Sequence, residues 1–251
     1  MVRLSVNVNK IATLRNSRSA QSGSASTGYP SVVEATRICV EAGATGITVH
    51  PRPDARHITL TDVREVAAFL EPMRDRIEYN IEGDPRPELM DLVTEVRPHQ
   101  VTLVPVRPGE ITSQAGWGVD TPAGPMRELI ARMHAADVRV SVFVDPQPES
   151  IDWAAELGAD RIELFTEPFA QAFARSEAQG RASFETYVAA AEYAHARGLG
   201  INAGHDLDAN NLPLFGGLPH LDEVSIGHAI VGDAVFEGLA SVIRRYLDVL
   251  P

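Results

Sequence analysis

A chain of 251 residues, 44% hydrophobic and 22% charged, has enough apolar material for one packed core; α/β barrels often occupy that length undivided, so residues 1–251 are read as one domain. A formal net charge of −12 excludes a broadly basic surface, and with it a nucleic-acid or anionic-membrane partner bound by counterion release. The single cysteine, Cys39, excludes an intrachain disulfide or thiolate metal site, and its place in the apolar helical stretch from Val32 to Ala42 marks it as core.

Met1 leads straight into the strand-like Arg3-Leu4-Ser5-Val6-Asn7-Val8, without a basic and apolar export segment. No apolar run in the chain is long enough to cross a bilayer, so the expected location is the cytoplasm. Further strands are expected near 46–50, 77–82, 100–104, 138–144, 160–165, 199–203 and 223–227, alternating with helical patterns. Gly43, Gly158 and Gly198 fall just past three of those helices, where a left-handed cap is needed. Eight such units close a parallel (β/α)8, or TIM, barrel with extra helices. An open doubly wound sheet is the alternative, and the absence of a Gly-rich dinucleotide turn after the first strand disfavours it.

Two segments interrupt the rhythm. Residues 17–27 are small and polar and follow the first strand, as either a lid or a plain loop. Residues 105–125 form a connection long enough to suggest function.

The barrel interior is expected to be packed with apolar side chains, so polar groups at the strands' carboxyl ends should gather at its mouth. These include Asn7, Asn9 and Lys10; His50, Arg52 and His57; Glu82; Thr166 and Glu167; His205 and Asp206; and Gly227 with His228. Thr112 lies in the long loop. His50, Glu82 and His205 come from three strands and combine imidazoles that titrate near neutrality with a tunable carboxylate, the equipment of proton transfer. His134 and His195 lie in helical patterns, while His99 and His220 precede strands at the opposite end, so these four read as structural or solvated.

Gly204, Gly227 and His228 fall where such barrels cradle phosphate. Arg52 and His57 form a second cationic group, and Arg15 and Arg18 could close over one anion. Lys10 is the only lysine, which suggests a compact point charge or an imine-forming amine. Metal-ligand spacing is lacking near the strand ends.

Asn7-Val8-Asn9-Lys10-Ile11-Ala12-Thr13-Leu14-Arg15-Asn16, Gly46-Ile47-Thr48-Val49-His50-Pro51-Arg52 with Arg56-His57-Ile58, Asn80-Ile81-Glu82, Asn202-Ala203-Gly204-His205 and Ile226-Gly227-His228-Ala229-Ile230 together resemble the pyridoxine 5'-phosphate synthase family, in register along essentially the whole chain. The resemblance implies a cofactor-free homo-octameric barrel enzyme of the transferase type. Its substrates are two phosphorylated small molecules, 1-deoxy-D-xylulose 5-phosphate and 3-amino-2-oxopropyl phosphate, joined to pyridoxine 5'-phosphate with loss of phosphate and water. By position, His50 and Glu82 would accept protons and His205 would donate one. Asn7, Arg18, Gly227 and His228 would hold the aminoketone phosphate; Lys10, Arg52, His57 and Thr112 would hold the deoxyxylulose phosphate. Asn9 and Asp206 are carried over as further substrate contacts.

The chain departs from the commonest family pattern where Asn9-Lys10 replaces Asp-His, Phe165 and Glu167 replace His and Gly, and Asp206 replaces Gly. A carboxylate beside a phosphate is repulsive, so Asp206 is expected to face away or to bond a cation. A Lys10 Schiff-base aldolase and a non-catalytic phosphosugar sensor are the alternative functions.

Overall fold

The computed structural model describes residues 2–19, 28–106 and 115–250, and of Arg18 and Ser19 only the backbone. Residues 20–27 of the expected lid and 107–114 of the long connection, with Thr112, lie outside the described residues.

Eight strands form a closed parallel barrel in chain order: β1 (Arg3–Asn7), β2 (Gly46–Val49), β3 (Glu78–Gly83), β4 (Gln100–Leu103), β5 (Arg139–Val144), β6 (Arg161–Leu164), β7 (Gly200–Gly204) and β8 (Leu221–Ile226). Closure is made by β1 against β8, with Ser5 opposite Ser225. Each strand lies within two residues of its expected bounds, because β-branched runs flanked by glycine leave little latitude. Gly43, Gly158 and Gly198 all have positive φ, as helix-terminating glycines should.

The helices are α1 (Asn9–Ser19), α2 (Val32–Glu41), α3 (Leu60–Leu70), α4 (Pro87–Val96), α5 (Ala123–Ala135), α6 (Pro148–Leu157), α7 (Glu167–Arg175), α8 (Glu177–Ala196), α9 (Leu212–Phe215), α10 (His228–Glu237) and α11 (Leu239–Val249). Pairs after β1, β6 and β8 supply the extra helices, while β7 is followed only by the four-residue α9. Residues 17–19 therefore complete a helix. Cys39 is buried in the core, His134 and His195 lie in α5 and α8, and His99 and His220 directly precede β4 and β8. Among the described residues no helix is long and apolar enough to cross a membrane.

One set of alternating strand residues, including Leu4, Val6, Ile47, Val49, Ile81, Val101, Val140, Ile162, Ile201 and Val224, is buried in the main core. Tyr79 belongs to it, and its hydroxyl donates to the Val63 carbonyl of α3 at 3.0 Å, so this set faces the helices. The opposite set faces the lumen and is polar, which overturns the expectation of an apolar barrel interior. Ser5 and Thr48 share a 2.7 Å hydrogen bond, Thr102 donates to Asn80 at 3.1 Å, and Gln100 donates to Thr102 at 3.3 Å and accepts from Arg139 at 3.0 Å. Arg3, at 2.6 Å, and Arg139 both pair with Glu78, and Arg161 donates to Asn202 at 2.9 Å. Sheet closure makes these groups tolerable, since each finds a partner along or across the lumen.

The Ser141 and Ser225 hydroxyls have no such partner among the described residues, and neither does Glu223. It is buried in β8, and neither carboxyl oxygen has a hydrogen-bond partner among the described residues. Burial, then the charge of Glu78, pushes its pKa up to about 8. The folded chain thus holds this proton more tightly than the unfolded chain, so the stabilising contribution is complete below about pH 4.5 and lost as pH rises towards 8. Glu223→Gln should therefore gain stability over the parent across that window, by an amount on the order of 1–4 kcal/mol at its alkaline end. Urea unfolding at several pH values checks this, and a pH-independent difference between the two proteins would show that Glu223 does not titrate there.

Candidate active site

The carboxyl ends of the strands open into one cavity of about 720 Å³. Of the thirteen candidate residues, Thr112 and the Arg18 side chain lie outside the described residues, and the other eleven all line this cavity. β1 and the start of α1 supply Asn7, Asn9 and Lys10; β2 and its loop supply His50, Arg52 and His57; Glu82 rises from β3. From the other side come His205 and Asp206 after β7, and Gly227 and His228 at the start of α10.

His50 and Glu82 form the centre. Nδ1 of His50 lies 3.7 Å from Oε2 of Glu82, and the same oxygen accepts from Nδ2 of Asn7 at 3.4 Å. Burial, then the neighbouring His57 and Arg52, holds His50 well below the ordinary imidazole range. Burial, then Glu223, pushes Glu82 up to about 8. At neutral pH the proton of this pair therefore sits on the carboxyl and the imidazole is a neutral base. Nε2 of His50 has no hydrogen-bond partner among the described residues, so its lone pair or proton is not committed within them. His205 opens towards the cavity but is otherwise enclosed by protein; burial, then Lys10, lowers its pKa.

The cationic group after β2 is anchored from two sides. Arg86 pairs with Asp84 and donates to the Pro51 carbonyl at 2.5 Å, fixing the peptide before Arg52. Asn16 donates to the His57 carbonyl at 2.8 Å. Arg15, expected to approach an anion, instead forms a bidentate pair with Asp62 at 2.5 and 2.8 Å, and Asp62 also caps α3 through Thr59. Its guanidinium is thereby spent on joining α1 to α3. Burial, then Arg52, lowers His57 to about 4, so it is a neutral ring at pH 7.

On the opposite side α10 begins at His228, and its first-turn N–H groups point out of the helix as an anion cradle. Glycine is required here: a Cβ on Gly227 would lie 2.8 Å from the Asn7 carbonyl oxygen, and one on Gly204 only 1.9 Å from that of Ser225. Asp206 does not face away as expected. It lines the cavity, Oδ2 has no hydrogen-bond partner among the described residues, and burial with the adjacent Glu167 pushes its pKa up to about 6.

Glu163, Ser225 and Phe143 also line the cavity and were not among the candidates. Glu163 is buried on β6, and burial, then Glu82, raises its pKa well above the carboxylate range. The alternation in Arg161-Ile162-Glu163-Leu164 carried the signal, since Glu163 shares the lumen face with Arg161. Phe143 meets Phe165 edge-on at 5.8 Å and packs with Val104, an apolar floor beside the carboxyls. The described part of the long connection is tied down by Trp117, which donates to the Leu103 carbonyl at 2.9 Å.

A closed parallel barrel whose carboxyl-end cavity gathers paired acid and base groups with two cationic or amide-lined edges defines the class, a (β/α)8-barrel enzyme. Residues 4–251 match the family model described as pyridoxal phosphate biosynthesis protein PdxJ, and the chain belongs to that family. It is 48% identical over 251 residues to the pyridoxine 5'-phosphate synthase of Porphyromonas gingivalis, covering 100% of this chain and 99% of that one. The protein of the same name from Leptospira biflexa is 45% identical over 260 aligned positions, covering 100% and 97%. Among solved structures, a thiamine phosphate pyrophosphorylase from Pyrococcus furiosus superposes with a TM-score of 0.62 at 15% identity, covering 99% and 95%. A phosphoribosyl anthranilate isomerase from Thermotoga maritima gives 0.60 at 14%, covering 100% and 98%. These two likenesses show the fold alone.

The Arg86 clamp bears on the cavity through Pro51 and Arg52, and its charge also faces His50. Arg86→Ala is expected to weaken binding of a small phosphate ester such as glycerol phosphate roughly tenfold, the worth of one charge-assisted hydrogen bond. Calorimetric titration measures it, and unchanged affinity would mean that the loop keeps its shape without the clamp.

Proposed function

We propose that this chain is a pyridoxine 5'-phosphate synthase, condensing 1-deoxy-D-xylulose 5-phosphate with 3-amino-2-oxopropyl phosphate to pyridoxine 5'-phosphate, phosphate and water. The observation that carries the reading is the convergence of eleven candidate residues, from five separate stretches of chain, on one cavity. The full-length relatives of that name support it. The catalytic groups are His50, Glu82 and His205. Gly227 and His228 with the α10 amides hold one phosphate, together with Arg18; Lys10, Arg52, His57 and Thr112 hold the other.

Fixing both phosphates brings the amine of one substrate to the ketone of the other. In well-aligned cases that removes up to roughly 7–11 kcal/mol of barrier. His50 enters neutral and takes a proton; Glu82, in its ionised form, accepts another; His205 returns a proton to a leaving oxygen. The Phe143 and Val104 floor keeps water from the carbon atoms between the phosphates. The protein works as a homo-octamer in the cytoplasm, without a metal or organic cofactor.

Lys10 lines the same cavity, so an imine-forming lysine is the second reading. Mixing both substrates with metal-free protein should yield pyridoxine 5'-phosphate and inorganic phosphate, with no adduct after borohydride. A borohydride-trapped lysine adduct without pyridoxine 5'-phosphate would replace this reading by the aldolase.

Glu82→Gln should lower kcat by about 10²–10⁴-fold and change either KM by less than about threefold. As an acceptor Glu82 must be ionised, so kcat/KM of the parent should rise with pH through about 8, and the variant should lack that limb. A rate that falls through the same pH would make Glu82 the donor.

A further inference from the structure

Three hydrogen bonds and one close approach form a closed ring across β1, β2 and β3. The His50 main-chain N–H donates to Oδ1 of Asn9 at 2.9 Å, and the Asn9 main-chain N–H donates to Oδ1 of Asn7 at 3.0 Å. Nδ2 of Asn7 donates to Oε2 of Glu82 at 3.4 Å, and that oxygen lies 3.7 Å from Nδ1 of His50. Each asparagine side chain is therefore already engaged within the protein by the atom that would fix its orientation.

Resting on the reading above, we propose that Asn9 is a positioning residue of the His50–Glu82 pair rather than a ligand of a substrate phosphate. Its carbonyl fixes the main chain of one partner, and its own amide orients Asn7, which holds the other. The ring begins one residue past the β2 ladder, where the last strand residue is Val49 and the next N–H would otherwise have no strand partner. A side-chain carbonyl at position 9 supplies that acceptor at the point where the catalytic imidazole leaves the sheet.

The choice of an amide has a chemical consequence. A carboxylate at position 9 could accept the same His50 N–H, but it would place a negative charge within a few ångströms of the ring. The imidazolium would be favoured and would persist to a higher pH. Asparagine holds the same geometry with no net charge, leaving His57, Arg52, Arg86 and His205 to face His50 from the β2 loop, the β3 loop and β7 against the one carboxyl of Glu82.

The test uses the full-length protein with selectively labelled histidine, the His50 signal being assigned by its loss in His50→Gln. In Asn9→Asp the His50 ring should titrate about one pH unit higher than in the parent, a readout that needs no turnover. In steady-state assays Asn9→Ala should lower kcat about ten- to a hundredfold while each KM moves less than about threefold, and Asn9→Asp should restore the rate with its acid limb moved up by about one pH unit. An unmoved His50 titration in Asn9→Asp overturns the proposal even if Asn9→Ala fails to fold. A defect of Asn9→Ala confined to KM overturns it as well, by making Asn9 a substrate ligand. If the parent protein makes no pyridoxine 5'-phosphate, the functional reading fails, and the imidazole titration still decides the role of Asn9.

Discussion

Closure of a parallel sheet forces every second strand residue into a narrow lumen, and in this chain that row is charged. Four glutamates, Glu78, Glu82, Glu163 and Glu223, are buried on inward positions. Among the described residues only Glu78 meets guanidinium groups directly, from Arg3 and Arg139 at the end of the barrel far from the cavity. The other three are pushed above the carboxylate range by burial and then by a neighbouring glutamate: Glu223 for Glu82, Glu82 for Glu163 and Glu78 for Glu223. A like-charged set in a low dielectric cannot be ionised throughout, so it stores protons instead. That storage is what places a protonated carboxyl against a neutral imidazole in the cavity.

The same constraint explains how the cations are distributed. Arginines in the lumen are confined to the entrance of the strands, where they neutralise Glu78 and bind Asn202. At the mouth the positive groups stand on loops and helix starts: Lys10 on α1, Arg52 after β2 and the amides of α10. Anions are thus met by the rim and proton carriers by the floor. In the proposed reaction, a phosphorylated substrate held at the rim has its reactive carbons over Glu82 and Glu163 and its charge outside the lumen.

Much of this was legible in the sequence because β-branched runs ending in histidine or asparagine mark both a strand and its functional end. His50, Glu82 and His205 were identifiable from position alone, and the cavity gathers them. The polar lumen was misread, since the usual apolar barrel interior was applied to strands such as Glu78-Tyr79-Asn80-Ile81-Glu82, whose strict alternation already showed one polar face. Glu163 was lost with it. Arg15 misled for a different reason: nothing local distinguishes an arginine awaiting a ligand from one whose partner, Asp62, lies 47 residues away.

Asp206 shows how the lumen and the rim meet. A fixed carboxylate next to the α10 amides would oppose a phosphate, and a purely electrostatic reading of the sequence turns it away from the site. The side chain instead lines the cavity beside Glu167, with a pKa already at about 6. An approaching anion shifts that equilibrium further towards the neutral acid, because like charge disfavours the ionised form. Protonation of Asp206 would lessen the repulsion without moving the side chain, and the neutral acid has an O–H to offer where the carboxylate has only acceptors.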